Sequence, residues 1–170
     1  MARLPRSALE EGRFFHVYAR GVDRMVIFRD RQDRLEFMRL LTIAARRHRW
    51  RCHAFCLMDT HFHVVVESTL VRLSRGMHLA LGRYARHFND RHGRTGHLFG
   101  DRFGARLIAN EEYLALAVDY VLHNPVRAGI VAAPEEWPWC GSQRETTTRP
   151  SLSGSRSPAV GAGTLAPRAS

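Results

Sequence analysis

Two histidines separated by one residue are the part of this sequence that most directly suggests chemistry. His61 and His63 flank Phe62, and three valines follow at residues 64–66. Valine runs favour extended backbone, and side chains at i and i+2 of a strand point to the same face, about 6–7 Å apart along the chain. Two imidazoles on one face of a strand are half of a divalent-metal site. The strand therefore predicts a metal site that other elements must complete.

A tyrosine and an asparagine four residues apart are the candidates for the other half. Tyr120 and Asn124 share one face of a predicted helix, because residues i and i+4 are neighbours on a helix surface. The Asn124 carbonyl oxygen is a hard ligand, which beside two imidazoles suits Mg²⁺ or Mn²⁺ better than zinc. The Tyr120 phenol would then lie beside the metal as the nucleophile for a phosphodiester.

Each of these assignments has a simpler alternative. A His-X-His pair on a strand is, without context, more often two ordinary histidines than a metal site. An asparagine before proline, as at Asn124-Pro125, is also a common way to end a helix. Tyr113 lies seven residues before Tyr120 on the same helix face and is the rival nucleophile, although it is further from Asn124.

The elements that must position these residues follow the order β-α-β-β-α-β. Strands are predicted over residues 14–20, 50–57, 61–67 and 103–108, and helices over 31–48 and 70–89. This is the order of the ferredoxin-like α+β fold, an antiparallel sheet with helices on one face. The histidine strand is then inside the sheet. An added C-terminal helix begins after Asn110, a good N-cap, stops at Asn124-Pro125, and carries Tyr120.

Arginine supplies all of the positive charge. The 170 residues carry a net charge of +10 with a pI of about 11.0, and all 26 basic residues are arginine. Such charge predicts a polyanionic partner, most simply nucleic acid, although an arginine-only chain also reflects genome composition. The absence of lysine excludes P-loop and Schiff-base chemistry.

The arginines that could contact DNA fall into two groups. One occupies the polar side of the second helix and the other a glycine-rich stretch over residues 91–104, where backbone N–H groups can approach phosphates. The candidates are Arg72, Arg75, Arg83, Arg86, Arg91, Arg94 and Arg102. The alternative is a solvated face without a partner.

The length predicts one domain over residues 1–140, followed by a tail over 141–170. Ser, Thr, Gly, Pro, Ala and Arg dominate the tail, so we expect it to be disordered. No apolar window is long enough to span a membrane, and the N-terminus lacks a signal peptide's apolar region. Three cysteines are too few for a disulfide scaffold and predict free thiols. We expect a cytoplasmic protein.

At the level of whole motifs the chain resembles the REP-associated tyrosine transposases, relatives of the single-tyrosine HUH insertion-sequence transposases. The resemblance covers about residues 10 to 143. Besides His61-Phe62-His63, the motifs that carry it are Phe15-His16-Val17, Ala19-Arg20-Gly21, Phe55-Cys56-Leu57-Met58, Leu73-Ser74-Arg75-Gly76-Met77, Gly82-Arg83-Tyr84, Arg91-His92-Gly93-Arg94-Thr95-Gly96-His97-Leu98-Phe99 and Asn124-Pro125-Val126-Arg127-Ala128-Gly129.

The resemblance implies a ferredoxin-like nuclease that cuts and rejoins single-stranded DNA near hairpin-forming palindromes. The family's metal-binding histidines match His61 and His63, its third ligand matches Asn124, and its nucleophile matches Tyr120. The tyrosine would form a 5′-phosphotyrosine link and leave a free 3′-hydroxyl. The implied cofactor is Mg²⁺ or Mn²⁺. The protein would act as a monomer or as a homodimer, with the tyrosine supplied in cis or in trans.

The chain departs from the family pattern at two places. Asp59-Thr60 stands where Pro-Asn is usual before the first histidine, so we expect an altered turn or an added carboxylate near the metal. Gly100-Asp101 stands where Gln-Gly is usual, and an acidic residue there would weaken a DNA contact.

Two other functions compete with this one. One is a non-catalytic domain that binds DNA hairpins and represses there. Such a domain would need the net positive charge, but it would not need His61, His63, Tyr120 and Asn124 together. A metallohydrolase that uses water as nucleophile could also place His-X-His on a strand. The barrel of the amidohydrolases, however, needs about 250 residues, which is more than this chain has.

Overall fold

Five antiparallel strands form a single sheet around the histidine strand. The computed structural model describes residues 13–142. The strands are β1 (Arg13–Arg20), β2 (Arg51–Leu57), β3 (His61–Ser68), β4 (Gly104–Ile108) and β5 (Cys140–Ser142), in the spatial order β4-β1-β3-β2-β5. Strand β3 therefore has a neighbour on each side, as predicted. The three-residue edge strand β5 was not predicted.

Four helices accompany the sheet. They are α1 (Arg31–His48), α2 (Leu70–His92), α3 (Glu111–Leu122) and the single turn α4 (Asn124–Arg127), with short 3₁₀ turns at Val22–Arg24 and Pro134–Glu136. The α+β class and the β-α-β-β-α-β order are confirmed. Helix α2 runs three residues beyond its predicted end and stops at Gly93, whose φ of 62° suits a residue without Cβ.

The alternation of side chains along β1 and β3 divides the molecule into two layers. Phe62 and Val64 point into the main core, where they pack with residues of α1 and α2. His61 and His63 point to the other face, which α3 covers through contacts with β2, β3, β4 and β5. Helices α1 and α2 thus share one face as predicted, and the added helix lies on the opposite one.

The two helices of the main layer are joined by a buried carboxylate. Asp33 of α1 is fully buried and accepts hydrogen bonds from the Arg29 backbone N–H at 2.9 Å and from the guanidinium of Arg91. His92 lies 3.0 Å from the same carboxylate. Arg91 also pairs with Asp30 at 2.7 Å. These contacts explain why the polar pair at residues 91–92 is helical although it was predicted to be loop.

The expectation of three free thiols is wrong. Cys56 and Cys140 form a disulfide, and Cys52 is the free cysteine. The two bonded cysteines lie opposite each other in the pairing of β2 with β5. They are separated by 84 residues in sequence, so the pairing of the two cysteines could not be predicted without β5.

The predicted tail lies almost wholly outside the described residues. Only Gly141 and Ser142 of that segment are described, and both belong to β5. Within residues 13–142, no helix is both long and apolar enough to cross a membrane.

We expect Asp33→Ala to destabilise the fold, because it removes the fully buried carboxylate that holds Arg29, Arg91 and His92 together. The loss in the free energy of unfolding should be about 2 kcal/mol, the size expected when hydrogen bonds to a charged group are lost, since Arg91 keeps its pair with Asp30. Urea unfolding followed by circular dichroism measures it. Glu36→Ala is the control, since it removes a surface ion pair with Arg39 on the same helix and should change stability little. Equal losses in the two variants would contradict the assignment.

Candidate active site

The two histidines of β3 face one cavity. Their ring centroids are 5.2 Å apart and the rings are nearly perpendicular. The cavity has a volume of about 380 Å³. The residues that line it come from β1, β3, β4 and α3, and they are His16, Tyr18, Ala19, Arg20, His61, His63, Arg106 and Tyr120. The predicted convergence of the two imidazoles is therefore present in the structure.

Phe62 holds this arrangement from the other side of the sheet. Its side chain is fully buried in the main core, with its ring centroid 4.8 Å from that of Phe37. Because neighbouring side chains of a strand point to opposite faces, burying Phe62 fixes the face on which His61 and His63 emerge.

Tyr120 reaches the same cavity from α3. Its ring centroid is 6.1 Å from that of His63 and 5.7 Å from that of His16. The Arg127 guanidinium lies over the phenol ring, 4.4 Å from its centroid. The side chain is 43% exposed, so a substrate can approach it. The tyrosine and the histidines thus meet within one chain.

Tyr113 does not reach the histidine cavity. It is 56% exposed and borders an adjoining depression, which has His16 and Arg106 in common with the histidine cavity. Of the two tyrosines predicted as nucleophiles, the structure brings only Tyr120 to His61 and His63.

Asn124 is turned toward its own helix. Its side-chain N–H group donates to the backbone oxygens of Tyr120 at 2.9 Å and Val121 at 3.3 Å, and the residue does not line the histidine cavity. The side chain thus completes the end of α3, as the alternative reading of Asn-Pro anticipated. Its role as a metal ligand stays a prediction.

A third histidine, which the sequence analysis did not assign to the site, completes the polar wall. His16 Nε2 lies 2.8 Å from His63 Nδ1, and the two ring centroids are 5.0 Å apart. The alternation of β1 contained a signal for it, because His16, Tyr18 and Arg20 occupy one face at i, i+2 and i+4. Arg106 is opposite His16 in the pairing of β1 with β4.

The surroundings of all three histidines disfavour the charged form of the ring. Burial, and then the neighbouring imidazoles and guanidinium, lower the pKa of His63 to about 3. Burial and Arg20 lower the pKa of His61, against an opposing effect of Asp59. Burial and Arg106 lower the pKa of His16. Neutral imidazoles keep a lone pair, which is the form that binds a metal.

The unusual turn before the first histidine does not add a carboxylate to the cavity. The Asp59 carboxylate accepts a hydrogen bond from the guanidinium of Arg34, whose other faces meet the rings of Trp137 and Trp139. Thr60 Oγ1 lies 3.0 Å from His61 Nδ1. The Asp59 carboxylate is therefore engaged by Arg34 and does not line the cavity, and an altered turn stays a prediction.

Two of the three predicted metal ligands, His61 and His63, have side chains that suit a divalent ion. Thr60 and His16 occupy the Nδ1 atoms of His61 and His63 respectively, which leaves each Nε2 for a ligand. Such contacts to the second ring nitrogen are usual at metal-binding histidines. Within residues 13–142, no group of three or more His, Cys, Asp and Glu side chains has metal-binding geometry. The predicted site uses two histidines and an amide.

The predicted DNA-binding arginines are dispersed. Arg72, Arg75, Arg83 and Arg86 are exposed along α2, which lies on the sheet face opposite the histidines. Arg91 is engaged by Asp30 and Asp33, and Arg94 donates to Asn89 Oδ1 at 3.4 Å.

Arg102 borders a second depression of about 450 Å³, next to the histidine cavity. The two spaces have Tyr18, Ala19 and Arg20 in common, so they adjoin along β1. Asp101, one of the departures from the family pattern, also lines the second space. At its rim Arg24 has a φ of 58°, a conformation that few residues with a Cβ adopt.

Comparisons with known proteins agree with this geometry. Residues 14–124 match the family described as IS200-like transposases. The solved structure of a REP-associated tyrosine transposase bound to a REP hairpin aligns with a TM-score of 0.60 at 18% identity, covering 86% of each chain. A Deinococcus radiodurans protein provisionally described as a transposase aligns with a TM-score of 0.48 at 14% identity, over 71% of this chain and 95% of its own. No curated protein matches the sequence.

The family match covers well over half of the chain and runs from β1 to Asn124. The fold is that of a REP-associated tyrosine transposase. The chain belongs to the IS200-like transposase family, as its motifs predicted, and by that membership it is a DNA-cleaving transposase.

Proposed function

We propose that this transposase cuts and rejoins single-stranded DNA at or near hairpin-forming palindromes, with Tyr120 as the nucleophile. The observation that carries the proposal is that Tyr120, His61 and His63 line one cavity within one chain. The exposed phenol, the neutral imidazoles and the basic rim together suit attack on a phosphodiester.

In the proposed reaction the Tyr120 oxygen forms a bond to phosphorus and the bond from phosphorus to the 3′-oxygen breaks. The phenol gives up its proton as the new bond forms, and the departing 3′-oxygen takes up a proton to become a hydroxyl. The 5′ side of the cut remains on the enzyme as a phosphotyrosine ester. Attack by a 3′-hydroxyl on this ester reverses the step and rejoins DNA.

The polar residues around the cavity have separate roles in this proposal. His61 and His63, with Asn124 as the proposed third ligand, would hold Mg²⁺ or Mn²⁺, which polarises the scissile phosphate and stabilises charge in the transition state. Arg20 and Arg106 border the cavity and would pair with flanking phosphates. Arg127 over the phenol ring would restrict the ring to the cavity side.

A hairpin partner is supported by two observations. The chain carries a net charge of +10, and the relative of the same fold was solved with a REP hairpin. The exposed arginines of α2 are proposed as contacts for the part of the DNA outside the cavity. Arg102, in the neighbouring depression, is proposed as a contact for the unpaired strand.

We expect Tyr120→Phe to abolish covalent attachment to DNA, because it removes the attacking oxygen and leaves the ring. Wild-type protein incubated with a hairpin oligonucleotide and Mn²⁺ should give an adduct that survives denaturing electrophoresis. Tyr113→Phe is the matched control on the same helix and should retain the adduct. A metal chelator added before the DNA should prevent the wild-type protein from forming this adduct.

The reverse pattern, with attachment lost in Tyr113→Phe and kept in Tyr120→Phe, would overturn the choice of nucleophile. The non-catalytic repressor would be favoured by a different result. In that case hairpin binding would be unchanged by the chelator and by Tyr120→Phe, and the wild-type protein would not cleave the DNA.

We expect Arg106→Ala to weaken binding of unpaired DNA and to reduce its salt dependence. For one lost phosphate contact, the slope of log K against log salt concentration should become shallower by about 0.7. Fluorescence anisotropy at several salt concentrations measures it. Arg47→Ala on α1, exposed on the opposite layer, should leave the slope unchanged.

The same titration of Arg75→Ala with a hairpin tests the α2 face, and an unchanged slope would remove that face from the DNA interface.

A further inference from the structure

We propose that His16 and Thr60 are positioning residues that fix the ring tautomers of His63 and His61, so that both Nε2 atoms present lone pairs to the cavity. The inference rests on the proposed function for its purpose, but the ring tautomers themselves can be measured without any reaction.

The geometry behind this inference is a pair of contacts with the same form. His61 Nδ1 lies 3.0 Å from Thr60 Oγ1, and His63 Nδ1 lies 2.8 Å from His16 Nε2. In both rings Nδ1 is the nitrogen that has this partner. Nε2 is therefore the nitrogen that remains for metal or phosphate in each ring.

A neutral imidazole has one N–H and one lone pair. If Nε2 is to bind a cation, the proton must reside on Nδ1 and Nδ1 must donate. For His61 the acceptor is the Thr60 hydroxyl oxygen. For His63 the acceptor is His16 Nε2, which must then carry a lone pair, so that the His16 proton resides on its Nδ1. The tautomers of His16 and His63 are thus coupled to each other, whereas that of His61 depends on Thr60.

Rigid elements keep the two acceptors in place. His16 is on β1, where it is opposite Val65 and hence diagonal to His63 on the adjacent central strand. The Thr60 carbonyl accepts a hydrogen bond from the Gly21 backbone N–H at 2.9 Å, which fixes the turn before β3. Strand β4 borders β1 on its other side, where Arg106 is opposite His16.

The opposite arrangement would disable the site. If the Thr60 hydroxyl and His16 Nε2 both donated, His61 and His63 would carry their protons on Nε2 and have no lone pair toward the cavity. The positions of the heavy atoms are the same in the two arrangements, so the proton positions have to be measured.

Long-range ¹H–¹⁵N NMR spectra of metal-free, ¹⁵N-histidine-labelled Tyr120→Phe protein report the tautomer of each ring. We expect His61 and His63 to be protonated on Nδ1. His16→Leu should abolish this preference at His63, and Thr60→Val should abolish it at His61. Protonation on Nε2 in the parent protein, or unchanged tautomers in both variants, would overturn the inference.

Calorimetric titration with Mn²⁺ adds a second readout. We expect His16→Leu and Thr60→Val each to weaken Mn²⁺ binding about 10-fold or more, as is usual when a partner of a ligating histidine is lost. Thr60→Ser and His16→Gln keep an oxygen acceptor and should retain most of the affinity. A uniform loss in all four variants would indicate a structural role and overturn the inference.

The two proposals fail in different ways. Parent protein that binds no Mn²⁺ but has both rings protonated on Nδ1 would reject the proposed metal role and support the tautomer assignment. Parent protein that binds Mn²⁺ with unchanged affinity in His16→Leu and Thr60→Val would support the metal role and reject the assignment.

Discussion

The two-residue period of β3 is the constraint on which the rest of this structure depends. Successive side chains of a strand point to opposite faces, so β3 supplies one set of side chains to the main core and the alternate set to the face under α3. Here Phe62 and Val64 enter the core under α1 and α2, and the intervening histidines face α3. Shifting the strand by one residue would exchange the two sets. The strand register that buries Phe62 in the core is thus also the register that places His61 and His63 in the cavity.

This constraint explains which features could be predicted from the sequence. Helix α1 was predicted with its observed bounds because its caps and apolar spacing are local signals. The interior position of β3 followed from the order of the elements. The convergence of His61 and His63 needed nothing beyond the strand period. The approach of Tyr120 to them depended on the packing of α3 across β3, which the spacing within α3 does not determine.

The remaining features depend on contacts between distant parts of the chain. His16 joins the site because β1 pairs with β3. The Cys56–Cys140 disulfide forms because β2 pairs with β5. The helical state of Arg91 follows from a carboxylate at Asp33. Asn124 shows a different limit, because spacing predicts the face of a helix on which a residue lies but not the direction in which its amide turns.

The wall shared by the histidine cavity and the depression beside Arg102 has a consequence for how mutations in this protein are interpreted. Tyr18, Ala19 and Arg20 line both spaces, so a substitution at any of them changes the two spaces together. A substitution at His61 or at Arg102 changes the lining of one space. Variants of this second kind can assign an effect to one space or to the other.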